Sequence, residues 1–559
     1  CSRDGGDLCC EGKSRLATRR QALAERRRSI VTMGISAVKD KKIKDPNAIL
    51  SRKEKFDKWF DNSWLKSVSD FMTAPLNSFN FMLKYIDRNH TIGEGELYNH
   101  FMKSEEGALE ANNRLYDGLK TYNTAIEEKA KEIFGKDIEA VMKDSGKEYI
   151  DKVHKQYMYD SSNHKEGEMY PISITKGQAF YVWLTWRQDD GRAKLLADGW
   201  NDQSIEEIEA LIGEDYMKFG EWVTDEFFPM LREEKYNKTH IDMFGTSMAK
   251  REHYFPFKVK GEDIQEKGEM GESYSGMPST ITGNIIKRTI NKSRIDTEQN
   301  AFDLLFKYGN DMETWNAMAK LRQDLNFLHS SKAFRNYLDA NSKGLFDKFI
   351  KSAEVAVKAY NNSGESNAIN DFLVKMNRMW AGSNIGFRLN TAMKQILSYP
   401  AFMAYSSNPK YLANLAKYSM NWNGNLLWAK ENLPAFRQRV ETGDLGMKGM
   451  SDPQFDLGKY LKMYSDISMI PNQFVDALTC AAGARSVYDF EYNRAIKAGL
   501  SEEEARNIAQ YNAEVAFNET QQSSRDEFVS PIQMSRNVLI KSMMNYQNSN
   551  VGYQRLGNE

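Results

Sequence analysis

Residues 112–134, NNRLYDGLKTYNTAIEEKAKEIF, decide the fold class of this 559-residue chain. Their apolar side chains recur in steps of three and four residues, which places them on one stripe of an α-helix. Gly135 follows directly, where a glycine can take the left-handed conformation that ends many helices. The segment therefore predicts a helix with one buried face, formed by Leu115, Leu119, Tyr122 and Ile126.

The same periodicity recurs along most of the chain, and no alternation of strands and helices suggests a parallel sheet. Residues 251–283 differ, because Pro256, Pro278 and repeated glycines break any helical pattern there. The sequence therefore predicts an all-α protein of elongated multi-helix bundles, with one extended interruption near residues 251–283. The longer helices are predicted at Asp137–Tyr159, Ile174–Asp189, Asp215–Lys235 and Asp296–Asn341.

Two Ser-x-x-Glu patterns precede apolar helical segments. Ser204 with Glu207, and Ser501 with Glu504, each match the capping box, in which the two side chains bond the backbone at a helix start. A helix is therefore expected to begin at each serine.

Composition excludes several classes of protein. With 41% hydrophobic and 27% charged residues, the chain is neither disordered nor collagen-like. Its 76 Lys and Arg balance 77 Asp and Glu, so no overall basic field attracts nucleic acid. Three of the four cysteines lie within the first ten residues, which leaves Cys480 alone in the body and excludes a disulfide framework there. We expect no signal peptide and no transmembrane helix, since no apolar run approaches about 20 residues.

The chain is predicted to divide into contiguous segments. Arginine dominates the cysteine-bearing head before Met33, which we interpret as disordered or as an upstream extension, although a basic arm for nucleic acid is the alternative. The C-terminal module ends without a clear cap and is expected to be truncated. The predicted segments are the head (1–33), an N-terminal helical domain (34–250), an extended connector (251–295), a central helical domain (296–440), a linker (441–470) and a C-terminal helical module (471–559).

Few residues suggest catalysis or metal binding. His154 and His164, like His90 and His100, stand ten residues apart, a separation that does not place two ligands on one helical face. His253 follows Glu252, but adjacent side chains point in different directions and make a poor general base pair. Cys480 lies among small residues and is expected to be buried. We therefore predict no catalytic residue, no metal and no cofactor.

Local basic residues are the remaining candidates for binding. Lys287, Arg288, Lys292 and Arg294 lie within eight residues and could contact phosphates or a partner, although we favour a solvated connector before the helix that starts at Asp296. Around Pro256, the aromatic residues Tyr254, Phe255 and Phe257 suggest an anchor that fixes a loop onto helices.

Three motifs, in their order along the chain, resemble motifs of phage-encoded large polyvalent proteins and of internal virion proteins that accompany DNA ejection. A Tyr-Phe-Pro tripeptide comes first, an Asn-x-x-x-Lys-Gln element follows, and a Gly-Leu-Ser-Glu module with a later Thr-Gln completes the likeness. The resemblance spans residues 170–555 and rests on helical patterns, and it assigns no catalytic residue. The matching positions are Tyr254, Phe255, Pro256, Asn390, Lys394, Gln395, Thr520 and Gln521.

The resemblance implies a non-enzymatic assembly module, located in the virion interior and delivered to, or made in, the bacterial cytoplasm. Its partners would be other virion proteins or copies of itself, as a homo-oligomer or as part of a larger polypeptide, with non-specific nucleic acid contact. One alternative is an accessory module of a cell-wall or nucleic-acid hydrolase, with Glu94, Glu96 or Glu252 as its acid or base. Another is a membrane-active delivery protein with amphipathic helices.

Overall fold

The computed structural model describes residues 6–38, 78–87, 95–257, 295–341, 344–357, 399–441, 456–520, 525 and 527–528. Within these ranges the regular structure is helical, apart from one two-stranded antiparallel sheet. The predicted all-α class is confirmed. None of the helices in these ranges combines the length and the apolar character that a membrane span requires.

Helices and one hairpin make up the first half of the described chain. Their bounds are α1 (Gly6–Val38), α2 (Phe79–Ile86), α3 (Glu96–Tyr98), α4 (Ala108–Phe134), α5 (Ile138–Ser145), β1 (Glu148–Gln156), β2 (Met169–Thr175), α6 (Lys176–Trp186), α7 (Asp189–Ala197), α8 (Asp202–Ile212), α9 (Glu214–Glu221), α10 (Phe228–Leu231) and α11 (Asn237–Phe244). Wider π-helical turns, which often mark functional positions, occur at Asn99–Lys103, Trp222–Phe227 and Arg232–Tyr236.

Only helices occur in the described part of the second half, where a 3₁₀ segment at Tyr399–Tyr405 precedes the last group. Their bounds are α12 (Ala301–His329), α13 (Lys332–Asn341), α14 (Leu345–Val357), α15 (Pro409–Tyr418), α16 (Trp422–Asn432), α17 (Pro434–Glu441), α18 (Asp456–Lys497) and α19 (Glu502–Thr520).

The chain packs into two compact units, each formed by two separate stretches. Unit 1 comprises residues 1–26 and 114–323, and unit 2 comprises residues 27–113 and 324–559. Unit 1 has an aromatic-rich core, whereas a core cluster of unit 2 pairs aromatic rings with alanines of α18 and α19. The predicted segments are contiguous, because local composition does not reveal contacts between distant stretches.

Helix α4 follows its apolar stripe. Tyr122 and Ile126 are buried, and Ala130 continues the buried face one turn later. Gly135 takes φ +63° and donates its N–H to the Lys131 carbonyl at 3.0 Å, which ends the helix as predicted.

The helix predicted at Asp137–Tyr159 is wrong beyond Ser145. The chain instead forms β1, which pairs antiparallel with β2 from Glu148 opposite Thr175 to Gln156 opposite Met169. The β-branched residues of β2 favour this pairing. Because the partner strand is a separate segment, the residues of β1 alone carry no clear strand signature.

One of the two capping boxes is confirmed. Ser501 and Glu504 bond each other's backbone N–H groups at the start of α19. The box at Ser204 with Glu207 is wrong, because Asn201 caps α8 and its side chain accepts the Ser204 N–H at 2.9 Å. An asparagine three residues upstream is an equally good cap, so the helix begins earlier.

The remaining predicted segments are only partly described. Residues 6–33 of the head lie in α1 rather than in a disordered segment. Of the extended interruption, residues 251–257 have no regular helix or strand, and residues 258–283 lie outside the described ranges. Residues 442–455 of the predicted linker also lie outside them, and α18 begins at Asp456.

Candidate functional site

The aromatic anchor predicted around Pro256 is confirmed in unit 1. Phe255 is buried and stacks on Phe228, with ring centroids 6.2 Å apart. Tyr254 contacts the rings of Phe228 and Tyr308 at 6.3 and 5.9 Å. Pro256 is also buried, so the segment after His253 is fixed against α10 and α12.

The anchor holds His253 beside Asp225 rather than beside its neighbour Glu252. The imidazole Nδ1 lies 2.6 Å from Asp225 Oδ1. Arg187 donates to the other carboxylate oxygen at 2.8 Å and to Thr224 Oγ1 at 2.9 Å. We call these four side chains, Arg187, Thr224, Asp225 and His253, the Asp225–His253 cluster.

Irregular backbone positions two members of this cluster. Asp225 lies in the π-helical turn Trp222–Phe227, and His253 takes φ +47°. A left-handed conformation is unusual for a histidine and persists only where the surroundings impose it. Arg187 follows the last residue of α6 and packs over the Trp183 ring, with its guanidinium carbon 4.9 Å from the ring centroid.

Hydrogen bonds keep the Asp225 carboxyl ionised. Partial burial would raise its pKa, but hydrogen bonds from His253, Thr224 and Arg187 outweigh that effect and hold the pKa below its usual value. Because an ionised carboxylate can only accept, the imidazole donates from Nδ1 to Asp225 at 2.6 Å, a shorter contact than the 3.2 Å between the same nitrogen and Arg187 Nη2. The lone pair of that imidazole is then on Nε2.

The other described histidines have separate partners. His154 Nδ1 lies 3.1 Å from Glu207, and His100 Nε2 lies 2.8 Å from Asp324. His164 stacks on Tyr157 with ring centroids 3.6 Å apart. Within the described ranges, no group of three or more histidine, cysteine or carboxylate side chains has an arrangement suited to a metal ion. His90 lies outside those ranges.

At the edge of the unit 2 core, one arginine packs among three aromatic rings, of which Tyr418 is buried and Trp428 and Tyr488 are half-buried. The Arg485 guanidinium lies 4.9 Å from the Tyr418 ring centroid and 5.3 Å from that of Trp428. Trp428 meets Tyr488 edge to face at 5.0 Å. Leu427, adjacent to Trp428 on α16, is 64% exposed. We call these five residues the aromatic–arginine surface.

A polar network fills another part of unit 2. Arg525 donates to Glu527 at 2.7 Å, to the Asn113 side chain at 2.9 Å and to the Leu109 carbonyl at 2.8 Å. Glu527 is fully buried, as is Glu514, which accepts long hydrogen bonds from Asn113 and from a backbone N–H. Buried charges persist only where partners of this kind compensate for lost hydration.

Replacing Glu514 by glutamine should change stability in a pH-dependent way. Burial raises the Glu514 pKa despite the opposing charge of Arg525, so the folded protein binds this proton more tightly than the unfolded chain. The stability that protonation contributes is complete below the unfolded pKa and is lost as pH rises through the folded pKa. Glu514→Gln should therefore match the wild type in acid and stabilise the protein increasingly toward neutral pH, as measured by denaturant midpoints.

Glu504→Gln is the matched control, with the opposite sign. A hydrogen bond from the Ser501 side chain lowers the pKa of this exposed carboxyl, so its contribution is present at neutral pH and is lost in acid. Glu504→Gln should destabilise at neutral pH. The same pH trend in both variants would contradict the assignment of Glu514.

Cys480 is buried in unit 2, and burial raises the pKa of its thiol well above the usual value, as expected for a packing residue rather than a nucleophile.

Glu96 is exposed and begins α3, which fits a structural helix start, whereas Glu94 lies outside the described ranges. Thr520 is buried at the end of α19 and donates its hydroxyl to the Ala516 carbonyl at 2.8 Å. The other predicted positions outside the described ranges are Lys287, Arg288, Lys292, Arg294, Asn390, Lys394, Gln395 and Gln521.

No protein-family model, curated protein or solved structure matches this chain. The likeness to large polyvalent proteins therefore stays a prediction from the motifs.

Proposed function

We propose that this chain is a helical module that assembles with other protein chains inside a phage virion. Its partners are other internal virion proteins or further copies of the chain itself. The observation that carries the assembly role is the aromatic–arginine surface of unit 2. The virion location rests on the ordered resemblance of the sequence motifs.

The residue types of that surface support protein binding. Tryptophan, tyrosine and arginine are enriched among the residues that dominate binding energy at protein interfaces. Here Arg485 is ordered between Tyr418 and Trp428, so little side-chain entropy remains to be lost on association. The exposed Leu427 adds apolar area at the same place on α16. Met420, 85% exposed just before α16, adds a flexible apolar side chain.

The first test measures the chain in purified phage particles by quantitative mass spectrometry. Wild-type chain should be present at a defined copy number. Leu427→Asp should lower that copy number at least about tenfold, because a desolvated charge at an interface core costs several kcal/mol. Ile241→Asp is the matched control, since Ile241 is an exposed apolar residue of unit 1 and lies outside the surface.

The outcomes test the virion location and the role of the aromatic–arginine surface separately. Absence of the wild-type chain from particles, despite its expression during infection, would refute the virion location. Equal incorporation of Leu427→Asp and wild type would refute the role of the aromatic–arginine surface. An equal loss in Leu427→Asp and Ile241→Asp would show that any added surface charge prevents incorporation, which would also refute that role.

A further inference from the structure

The Asp225–His253 cluster in unit 1 has no part in the proposed assembly surface. Its imidazole is held by Nδ1, which lies 2.6 Å from the carboxylate, and its side chain is 44% exposed. No described residue bonds Nε2. An imidazole oriented by an ionised carboxylate, with its other nitrogen open to water, is the arrangement of a general base.

The cluster is also pre-organised at a cost in backbone energy. His253 is held at φ +47° by the buried Phe255 and Pro256 that follow it. Asp225 comes from a π-helical turn, which redirects side chains relative to a regular helix. A surface ion pair alone contributes little stability and does not require either irregularity. Both irregularities instead orient one carboxylate and one imidazole toward each other.

The charges of the cluster favour a neutral substrate. Arg187 donates to Thr224 Oγ1 and Asp225 Oδ2, and its Nη2 atom also lies 3.2 Å from His253 Nδ1, so its positive charge is offset by the Asp225 carboxylate within the cluster. A phosphate ester would meet the Asp225 carboxylate without a compensating cation from Arg187. A carboxylic ester carries no charge and requires only an activated water molecule.

We propose that His253 is a general base that activates water for the hydrolysis of neutral carboxylic esters. Nε2 takes a proton from water while the water oxygen bonds to the carbonyl carbon, and the π pair of the C=O bond moves onto the carbonyl oxygen. That pair then re-forms the C=O bond as the bond from the carbon to the alkoxy oxygen breaks, and the electron pair of the broken bond leaves on the alkoxy oxygen. That oxygen takes the proton back from Nε2, which yields the acid, the alcohol and the original imidazole. Asp225 acts as a positioning residue that fixes the tautomer.

The experiment follows hydrolysis of p-nitrophenyl acetate by the full chain. His253→Asn is the main variant, because asparagine tolerates a left-handed backbone better than other side chains and should preserve the fold. The protein-dependent rate should fall at least about tenfold. His154→Asn is the matched control, since His154 is also paired through Nδ1 to a carboxylate, and it should retain the wild-type rate.

Asp225→Asn tests the positioning role. The amide would donate to Nδ1 and move the imidazole proton to Nε2, so the rate should fall as far as in His253→Asn while the unfolding midpoint changes little. In His253→Gly, glycine suits the positive φ, and added imidazole should restore part of the rate. The wild-type reaction should be slower in D₂O, because a proton moves in the rate-limiting step.

Four results would overturn the proposal. His253→Asn could hydrolyse the ester as fast as wild type, or His154→Asn could lose as much activity. Asp225→Asn could keep the full rate, which would remove the tautomer argument. A stable acetyl-imidazole on His253, detected by mass spectrometry, would identify a nucleophile instead of a general base. None of these results depends on whether the chain is present in virions.

Discussion

Arg525→Ala is expected to destabilise unit 2 by about 3–5 kcal/mol, because it leaves a buried carboxylate without its cation. Glu527 is fully buried and accepts from the Arg525 side chain at 2.7 Å. The same substitution also removes the hydrogen bonds to Asn113 and to the Leu109 carbonyl. Denaturant titration followed by circular dichroism should show the loss as a lower midpoint.

Arg506→Ala is the matched control for that prediction. Arg506 pairs with Glu502 one helical turn away at 3.0 Å, and both side chains are largely exposed. Such a pair contributes about 0.3–0.5 kcal/mol, so its loss should hardly move the midpoint. Similar shifts in the two variants would mean that Arg525 is not buried with Glu527. Replacing Arg525 and Glu527 together with apolar residues should cost less than Arg525→Ala alone.

Phe255→Ala is expected to destabilise unit 1 by about 3–5 kcal/mol, because it removes a fully buried aromatic ring. It should also release His253 from its left-handed conformation, since the anchor no longer fixes the next residue. The unfolding midpoint measures the first effect. Nuclear magnetic resonance of the His253 imidazole measures the second, as a loss of the low-field Nδ1 proton bonded to Asp225.

Tyr159→Ala provides the comparison for Phe255→Ala. Tyr159 belongs to unit 1 and carries an aromatic ring of similar size, but its ring is largely exposed beside the hairpin. Its removal should cost less than about 1 kcal/mol. If both variants lowered the midpoint equally, Phe255 could not be the anchor. If Phe255→Ala kept the Nδ1 proton signal, the anchor would not be what positions His253.

Local periodicity predicted much of the helical structure. The stripe through Tyr122 and Ile126 and the glycine at 135 were sufficient for α4, because every relevant contact repeats within one turn. The strand β1 escaped prediction, because its partner β2 begins 13 residues after β1 ends, and pairing between separate segments has no local signal. The Asn201 cap was missed for a different reason, since two adequate capping residues stand three positions apart.

The candidate site was only half visible in the sequence. The sequence points to His253 with its neighbour Glu252 as the candidate carboxylate, whereas Asp225 holds that position 28 residues earlier. Arg187 lies another 38 residues upstream, so these side chains meet only in the folded chain, where the aromatic anchor also positions His253. The aromatic anchor was predicted correctly, because proline between aromatic residues is a local signal.

The interleaved units also set an order for biosynthesis. Residues 27–113 of unit 2 are made before nearly all of unit 1, and their partners from residue 324 onward follow only after the 210 residues from 114 to 323. At about 5–20 residues per second, this delay is roughly 10–40 s. Every residue of α2, FNFMLKYI, is buried in the finished protein. During translation this helix is made before the residues that bury it, so its apolar side chains are exposed on the nascent chain. These exposed side chains make it a natural binding site for a chaperone.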